Sequence, residues 1–333
     1  MQEKTMMTGY ELVRKAIEFD HPERLPFFQH VYPPAPDDVC DSLELDRQKA
    51  GWFFDTPLPD DWGCIWGTTE VKNMGQVVKG PLEDWSKLGS YIPPDPKDPF
   101  YFERIEKGIA IAGSRYVCLT SHFNLLERLH MLHGFSKTME DFYYEPEKIE
   151  KVLDMILDFK MAQVDEIHRR FGDRVHGVFL TDDWGTQTGT FISPSLFDTF
   201  FFERYKTLVS RYHEHGYHFI LHSCGRINDF VDRFIAAGVD VMNMQQPRAY
   251  GIEELGRRFR GRIAFLSTVD IQTTLPSGNR EAVRREAHEL VEHWSTPEGG
   301  FIVFNYGDGE GINVGSDMTT VMFEAFMEKM WQK

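Results

Sequence analysis

The 333-residue sequence contains no CxxC pair. Its four cysteines, Cys40, Cys64, Cys118 and Cys224, are widely scattered, which excludes a disulfide framework and leaves reduced thiols as the simpler state. No run of some eighteen apolar residues occurs, so no transmembrane helix is expected. Met1–Met7 lacks the apolar core of a secretory signal, and a cytoplasmic location is the expectation. Basic residues are scarce: 36 Lys and Arg stand against 52 Asp and Glu, a formal net charge of −16. That balance argues against nucleic acid or an anionic membrane as partner, and against a highly anionic substrate unless a local basic pocket compensates. No glycine-rich phosphate turn follows an early strand, which disfavours a doubly wound nucleotide-binding sheet. Internal repeats and low-complexity tracts are also missing, so residues 1–333 read as one domain.

What is present is enough apolar residue, 41%, for a sizeable core, and an alternation of strand and helix signals. Thr8-Gly-Tyr-Glu11 has the form of a capping box before a helix with Leu12, Val13, Ala16 and Ile17 on one face. Leu25–His30 predicts a first strand and Gly51–Asp55 a second. Cys64–Gly80 predicts a hairpin outside any parallel sheet. Further strands are predicted at Tyr116–Thr120, Val175–Leu180, Phe219 onward, Val239–Met244, Ile263–Ser267 and Phe301–Phe304. Helices intervene, with Ser193, Asn279 and Ser316 as caps. Eight strands alternating with helices imply a parallel sheet closed as a (β/α)8 TIM barrel, with extra N-terminal helices and a β-hairpin insertion.

In such a barrel the chemistry sits where strands end. Those ends carry His30, Asp55, Ser121 with His122, Asp182 with Asp183, His222 with Cys224, Asn243 with Gln245, Ser267 with Asp270, and Asn305 with Tyr306. In Phe-Ile-Leu-His-Ser-Cys-Gly (Phe219–Gly225), residues two apart share a direction. An imidazole and a thiol side by side there suit a zinc-like metal, but the spacing alone fits a buried cysteine beside a hydrogen-bonded histidine better. Asp182 and Asp183 could do acid/base work, or cap the next loop and bind backbone amides; adjacent residues on extended backbone point oppositely, so at most one of them faces the site. His30 joins the two aspartates as a candidate catalytic group. Trp184, Tyr306, His122, Asn243 and Gln245 are candidates to line a substrate pocket.

The order of motifs resembles the uroporphyrinogen decarboxylase superfamily, which includes cobalamin-linked methyltransferases. It rests on Gly9–Ala16, Pro22–Pro26, Thr181–Gln187 with Ile192-Ser-Pro194, Leu221–Ile227, Ala236–Asp240 and Gly309-Glu-Gly-Ile312. The true decarboxylase is without metal and holds a porphyrinogen with eight carboxylates through arginines after its first strand. The corresponding His30–Asp38 has no arginine and two aspartates. The methyltransferases carry a His-x-Cys where His222 and Cys224 stand, and a later cysteine where this chain has Glu310. The resemblance therefore implies zinc on His222 and Cys224, with Glu310 as the third ligand and Asp182 or Asp183 as the alternative to it. The implied reaction moves a methyl group between a corrinoid (methylcobalamin), carried by a partner protein, and a small thiol or methoxy-bearing substrate. A decarboxylase-like carboxy-lyase and a non-catalytic ligand-binding barrel are the alternatives, and oligomeric state stays open.

Overall fold

A computed structural model describes residues 6–29, 42–46, 59–67, 75–307 and 309–330. Its strands in chain order are β1 (Phe27–Gln29), β2 (Ser42–Asp46), β3 (Ile65–Gly67), β4 (Gln76–Lys79), β5 (Tyr116–Ser121), β6 (Gly177–Thr181), β7 (His218–His222), β8 (Val241–Met244), β9 (Ala264–Ser267) and β10 (Phe301–Asn305). Eight of them form one sheet in the order β1-β10-β9-β8-β7-β6-β5-β2, every pairing parallel. Its two edge strands, β1 and β2, come within contact distance of each other, which curls the sheet into a barrel. The predicted TIM-barrel class is the fold observed. β3 and β4 pair antiparallel as the expected hairpin outside it.

The second barrel strand is not where the sequence places it. Ser42–Asp46 pairs with β5, while Gly51–Asp55 lies outside the described residues, as does His30. Ser-Leu-Glu-Leu-Asp is short and acidic, and its apolar alternation is only two leucines long.

The helices are α1 (Gly9–Glu18), α2 (Glu103–Ala110), α3 (Leu125–His133), α4 (Phe135–Tyr144), α5 (Pro146–Phe171), α6 (Pro194–Phe200), α7 (Phe202–Glu214), α8 (Val231–Ala237), α9 (Pro247–Tyr250), α10 (Ile252–Phe259), α11 (Arg280–Trp294) and α12 (Ser316–Glu328). Side-chain caps fix several starts. Thr8 and Glu11 close the capping box of α1, Ser193 accepts from Leu196 N, and Asn279 accepts from Ala282 N. The terminal helix differs from expectation. Ser316 is its first residue rather than its cap, and Gly315 stands at the N-cap with no side chain to offer.

Two apolar layers result from strand alternation. Phe28, Tyr116, Phe179, Ile220, Val241, Leu266 and Phe304 fill the inside of the barrel, with Val13, Ala16 and Ile17 of α1 packed against them. Phe219, Leu221, Val178 and Leu180 face the helices instead. Each fully buried Phe, Leu, Ile or Val among these contributes about 1.5–3 kcal/mol of transfer free energy. On β7 the inward parity belongs to Ile220, and therefore also to His222, which leaves the apolar interior at the strand's C-terminal end.

Candidate metal centre

β6 and β7 run side by side, with Thr181 in register with His222. The residues that follow them, Asp183 and Cys224, are thereby neighbours. Gly225 sits at φ +80° with its Cα against Gly185. A Cβ there would lie 2.2 Å from the Gly185 carbonyl carbon and oxygen, so only glycine lets the two loops meet. The Arg226 amide donates to Thr186 O at 2.7 Å and fastens them.

The side chains brought together are Asp183, His222 and Cys224, whose donor atoms all lie within 4.8 Å of one another. Cys224 Sγ is 3.4 Å from His222 Nε2, and His222 Nε2 is 3.7 Å from Asp183 Oδ1. Ligands bonded to one tetrahedral zinc at about 2.0–2.3 Å stand roughly 3.3–3.8 Å apart. The two distances from the imidazole nitrogen fall in that range, the third spacing lies within 4.8 Å, and the nitrogen, sulfur and oxygen donor set is one that zinc accepts.

The imidazole is fixed by its other nitrogen. His222 Nδ1 lies 2.7 Å from Asn243 Oδ1, and that oxygen also accepts from Gln245 Nε2 at 2.8 Å. Asn243 Nδ2 donates to the Leu266 carbonyl at 3.0 Å, which sets the amide's orientation. An oxygen facing Nδ1 requires Nδ1 to carry the proton, leaving the Nε2 lone pair toward Cys224 and Asp183.

Asp182 and Asp183 point to opposite sides. Asp183 Oδ1 accepts from Cys224 N at 2.7 Å within the cluster. Asp182 is fully buried and caps α3: its oxygens accept from Leu125, Leu126 and Glu127 amides at 2.8–3.2 Å, and from the Tyr205 hydroxyl. Burial raises its carboxyl to about 6, against the lowering effect of Tyr205 and those amides. It holds the loop before α3 rather than joining the Asp183, His222 and Cys224 cluster.

The other expected site residues take different places. Trp184, expected at the substrate pocket, is fully buried among Phe197, Phe201, Phe230 and Phe234, so its ring is occupied in packing. Asn243 and Gln245 are buried, Asn243 against His222 and Gln245 against Asn243. His122 is half-buried beside the Phe123 ring, and Tyr306 borders a cavity after β10. Glu310 is exposed and does not join the Asp183, His222 and Cys224 cluster.

One residue was missed. Glu127, in the first turn of α3, is buried and accepts from the Thr181 hydroxyl at 2.8 Å. Burial, then the Asp183 and Asp182 carboxylates, hold its carboxyl well above the usual range. In the sequence it is one glutamate inside an apolar helix, and only its distant contact with β6 distinguishes it.

Burial, then Asp183 and Glu127, push the Cys224 thiol well above its ordinary value. Without a cation the sulfur stays protonated; a divalent ion reverses that preference.

A family model described as Uroporphyrinogen decarboxylase (URO-D) matches residues 119–328, more than half of the chain. The chain belongs to the uroporphyrinogen decarboxylase family. The matched span starts inside β5, contains β6 through β10, and includes all three residues of the cluster. No curated protein matches the sequence significantly. Among solved structures, this URO-D family member is similar to a methyltransferase from Methanosarcina mazei, with 14% identity and a TM-score of 0.64 over 96% of this chain and 86% of that one. A xylanase 10B from Thermotoga maritima aligns at 12% identity and a TM-score of 0.44, over 97% and 99% of the two chains. At 14% identity the likeness to the methyltransferase is one of fold.

Proposed function

We propose that this URO-D family member is a zinc-dependent methyltransferase. It moves a methyl group between a corrinoid borne by a partner protein and a small thiol or methoxy-bearing substrate. The observation that carries the reading is the preorganised nitrogen, sulfur and oxygen set of His222, Cys224 and Asp183 at the C-terminal mouth of the barrel. Zinc there supplies a Lewis acid, favouring the thiolate of a thiol substrate or polarising an ether oxygen. A Cys224 thiolate and the Asp183 carboxylate bring two negative charges for a divalent ion, while burial favours the neutral form of nearby Glu127. Asn243 and Gln245 keep the imidazole aimed. The resemblance of motifs to the methyltransferase branch supports the choice of reaction.

Elemental analysis tests the reading first. The purified protein is expected to hold about one zinc per chain. His222→Ala, Cys224→Ser and Asp183→Asn are each expected to lose it with the fold retained, and Glu310→Gln to keep it. Because the thiol must give up its proton, affinity rises with pH and binding releases protons. The reaction is then read from the absorbance of methylcobalamin in the presence of thiols, or of cobalt(I) corrinoid with methoxy compounds. Full zinc occupancy in the three ligand variants, or no methyl transfer in either direction by the zinc-loaded protein, sinks the proposal.

A further inference from the structure

A cavity of about 210 Å³ opens after β10, bordered by Asn305, Tyr306, Ile312, Val314, Ser316 and Thr319, with Leu275 reaching in from the loop after β9. It contains none of the zinc-ligand candidates, and its rim at Gly307 and Ser316 is exposed. Pockets for drug-sized ligands run to roughly 300–1,000 Å³, so the occupant is small.

Its polar side has donors in excess. Asn305 is 5% exposed, and its Nδ2 is buried with no hydrogen-bond partner among the described residues. The same side chain's Oδ1 accepts from Gly307 N at 3.4 Å, which leaves the NH2 group as the unmet half of the amide. Leaving such a donor unmet in a buried place costs free energy that a ligand acceptor recovers. The second set of donors belongs to α12, thirteen residues long. Its N-cap, Gly315, has no side chain, and the amides of Ser316 and Asp317 find no acceptor among the described residues. Ser316 and the buried Thr319 bring hydroxyls to the cavity wall. Helix N-terminal amides with the aligned helix dipole favour an oxyanion.

The remaining groups set the charge and shape of that anion. Among the described residues, no lysine or arginine borders the cavity. The Asp317 carboxylate folds toward Gly315, with Arg280 4.0 Å from it on the outside. A phosphate dianion would meet that carboxylate uncompensated; a singly charged group does not need a guanidinium. Leu275, Ile312 and Val314 give the rest of the cavity an apolar wall.

We propose that this cavity is a binding site for a small carboxylic acid with an apolar body, its carboxylate held by Asn305 and the first turn of α12. The site is independent of the zinc reading, and its test needs no metal and no turnover.

The full-length protein is titrated with 4-fluorobenzoate and followed by 19F NMR, with 4-fluorobenzamide and inorganic phosphate as comparisons. Saturable binding of the benzoate is expected, with the benzamide at least about tenfold weaker and phosphate not displacing the benzoate. Asn305→Leu, close in size but without the donor, is expected to weaken binding about tenfold, and Thr319→Val by a smaller factor. Circular dichroism and thermal unfolding confirm that each variant is folded. The zinc-ligand variant His222→Ala is expected to bind the benzoate unchanged, which separates this site from the metal. Equal affinity for acid and amide, displacement by phosphate at equal concentration, no saturable binding, or unchanged affinity in both folded cavity variants overturns the proposal.

Discussion

At the scale of single residues, the site depends less on the three ligand candidates than on what aims them. The His-x-Cys spacing was legible because strand parity fixes it, and the paired aspartates because adjacent residues diverge. Which aspartate faces the site was not legible; it follows from α3 presenting three amides to Asp182. Glu310 drew attention as the replacement for a cysteine in a motif, yet the residue that stands with His222 and Cys224 is Asp183, supplied from the neighbouring strand. Asn243 read as pocket lining, although its short contacts to His222 and Leu266 make it the group that sets the imidazole tautomer. Asn243→Leu is therefore expected to lower zinc affinity about 10–100-fold in competition with a chromogenic chelator. Asn243→Asp keeps an acceptor facing Nδ1 and should retain most of the affinity. Wild-type affinity in the leucine variant would mean that something else orients the ring.

Among elements, those with caps and long apolar periods were readable, and those defined by a neighbour were not. The capping box of α1 and the caps of α6 and α11 stand where local chemistry places them. β2 escaped because its strand character comes from pairing with β5. The helix that Ser193 caps is broken at Phe201, whose φ of −120° leaves the helical range, and Phe197 of α6 and Tyr205 of α7 both pack on Trp184. The base of the sheet holds a titratable lock that no periodicity reveals. His176, just before β6, accepts from the Val117 amide of β5 through Nδ1 at 2.8 Å, with the Tyr10 ring 4.4 Å from its own. Burial, then His218, lower its pKa from 6.5 to about 4. A protonated Nδ1 cannot accept that bond. The folded pKa lies below the unfolded one, so this contribution is complete above about pH 6.5 and is lost as pH falls toward 4. Urea unfolding at pH 7 and pH 4.5 should show wild type losing up to about 2–3 kcal/mol more than His176→Gln, a ceiling that solvent screening reduces. An identical loss in both proteins would place the acid sensitivity elsewhere.

For the whole molecule, the alternation of strands and helices carried the barrel, because a parallel sheet with crossover helices has few ways to bury both faces. The acidic balance carried something different: a constraint on substrate. A formal net charge of −16 gives the molecule as a whole a field that draws divalent cations and repels polyanions. The arginines that follow β7 and β8 do not relieve it. Arg226 lies 3.5 Å from Glu254, and Arg248 is held by Glu286 and Glu289 at 2.6 and 3.0 Å. A porphyrinogen with eight carboxylates needs guanidinium groups for bidentate pairing, and His30–Asp38 contributes none. Family membership alone would suggest decarboxylation; the charge distribution predicts that it does not occur at a useful rate. Uroporphyrinogen incubated anaerobically with the purified protein should yield coproporphyrinogen no faster than a protein-free control, at low salt as well as at 0.5 M. The salt comparison matters because added ions screen the repulsion. Turnover that emerges only at high salt would show that the field excludes a substrate the site can otherwise process. Turnover at both salt concentrations would show that the carboxylates find partners despite the field, and would return the chain to the decarboxylase reading.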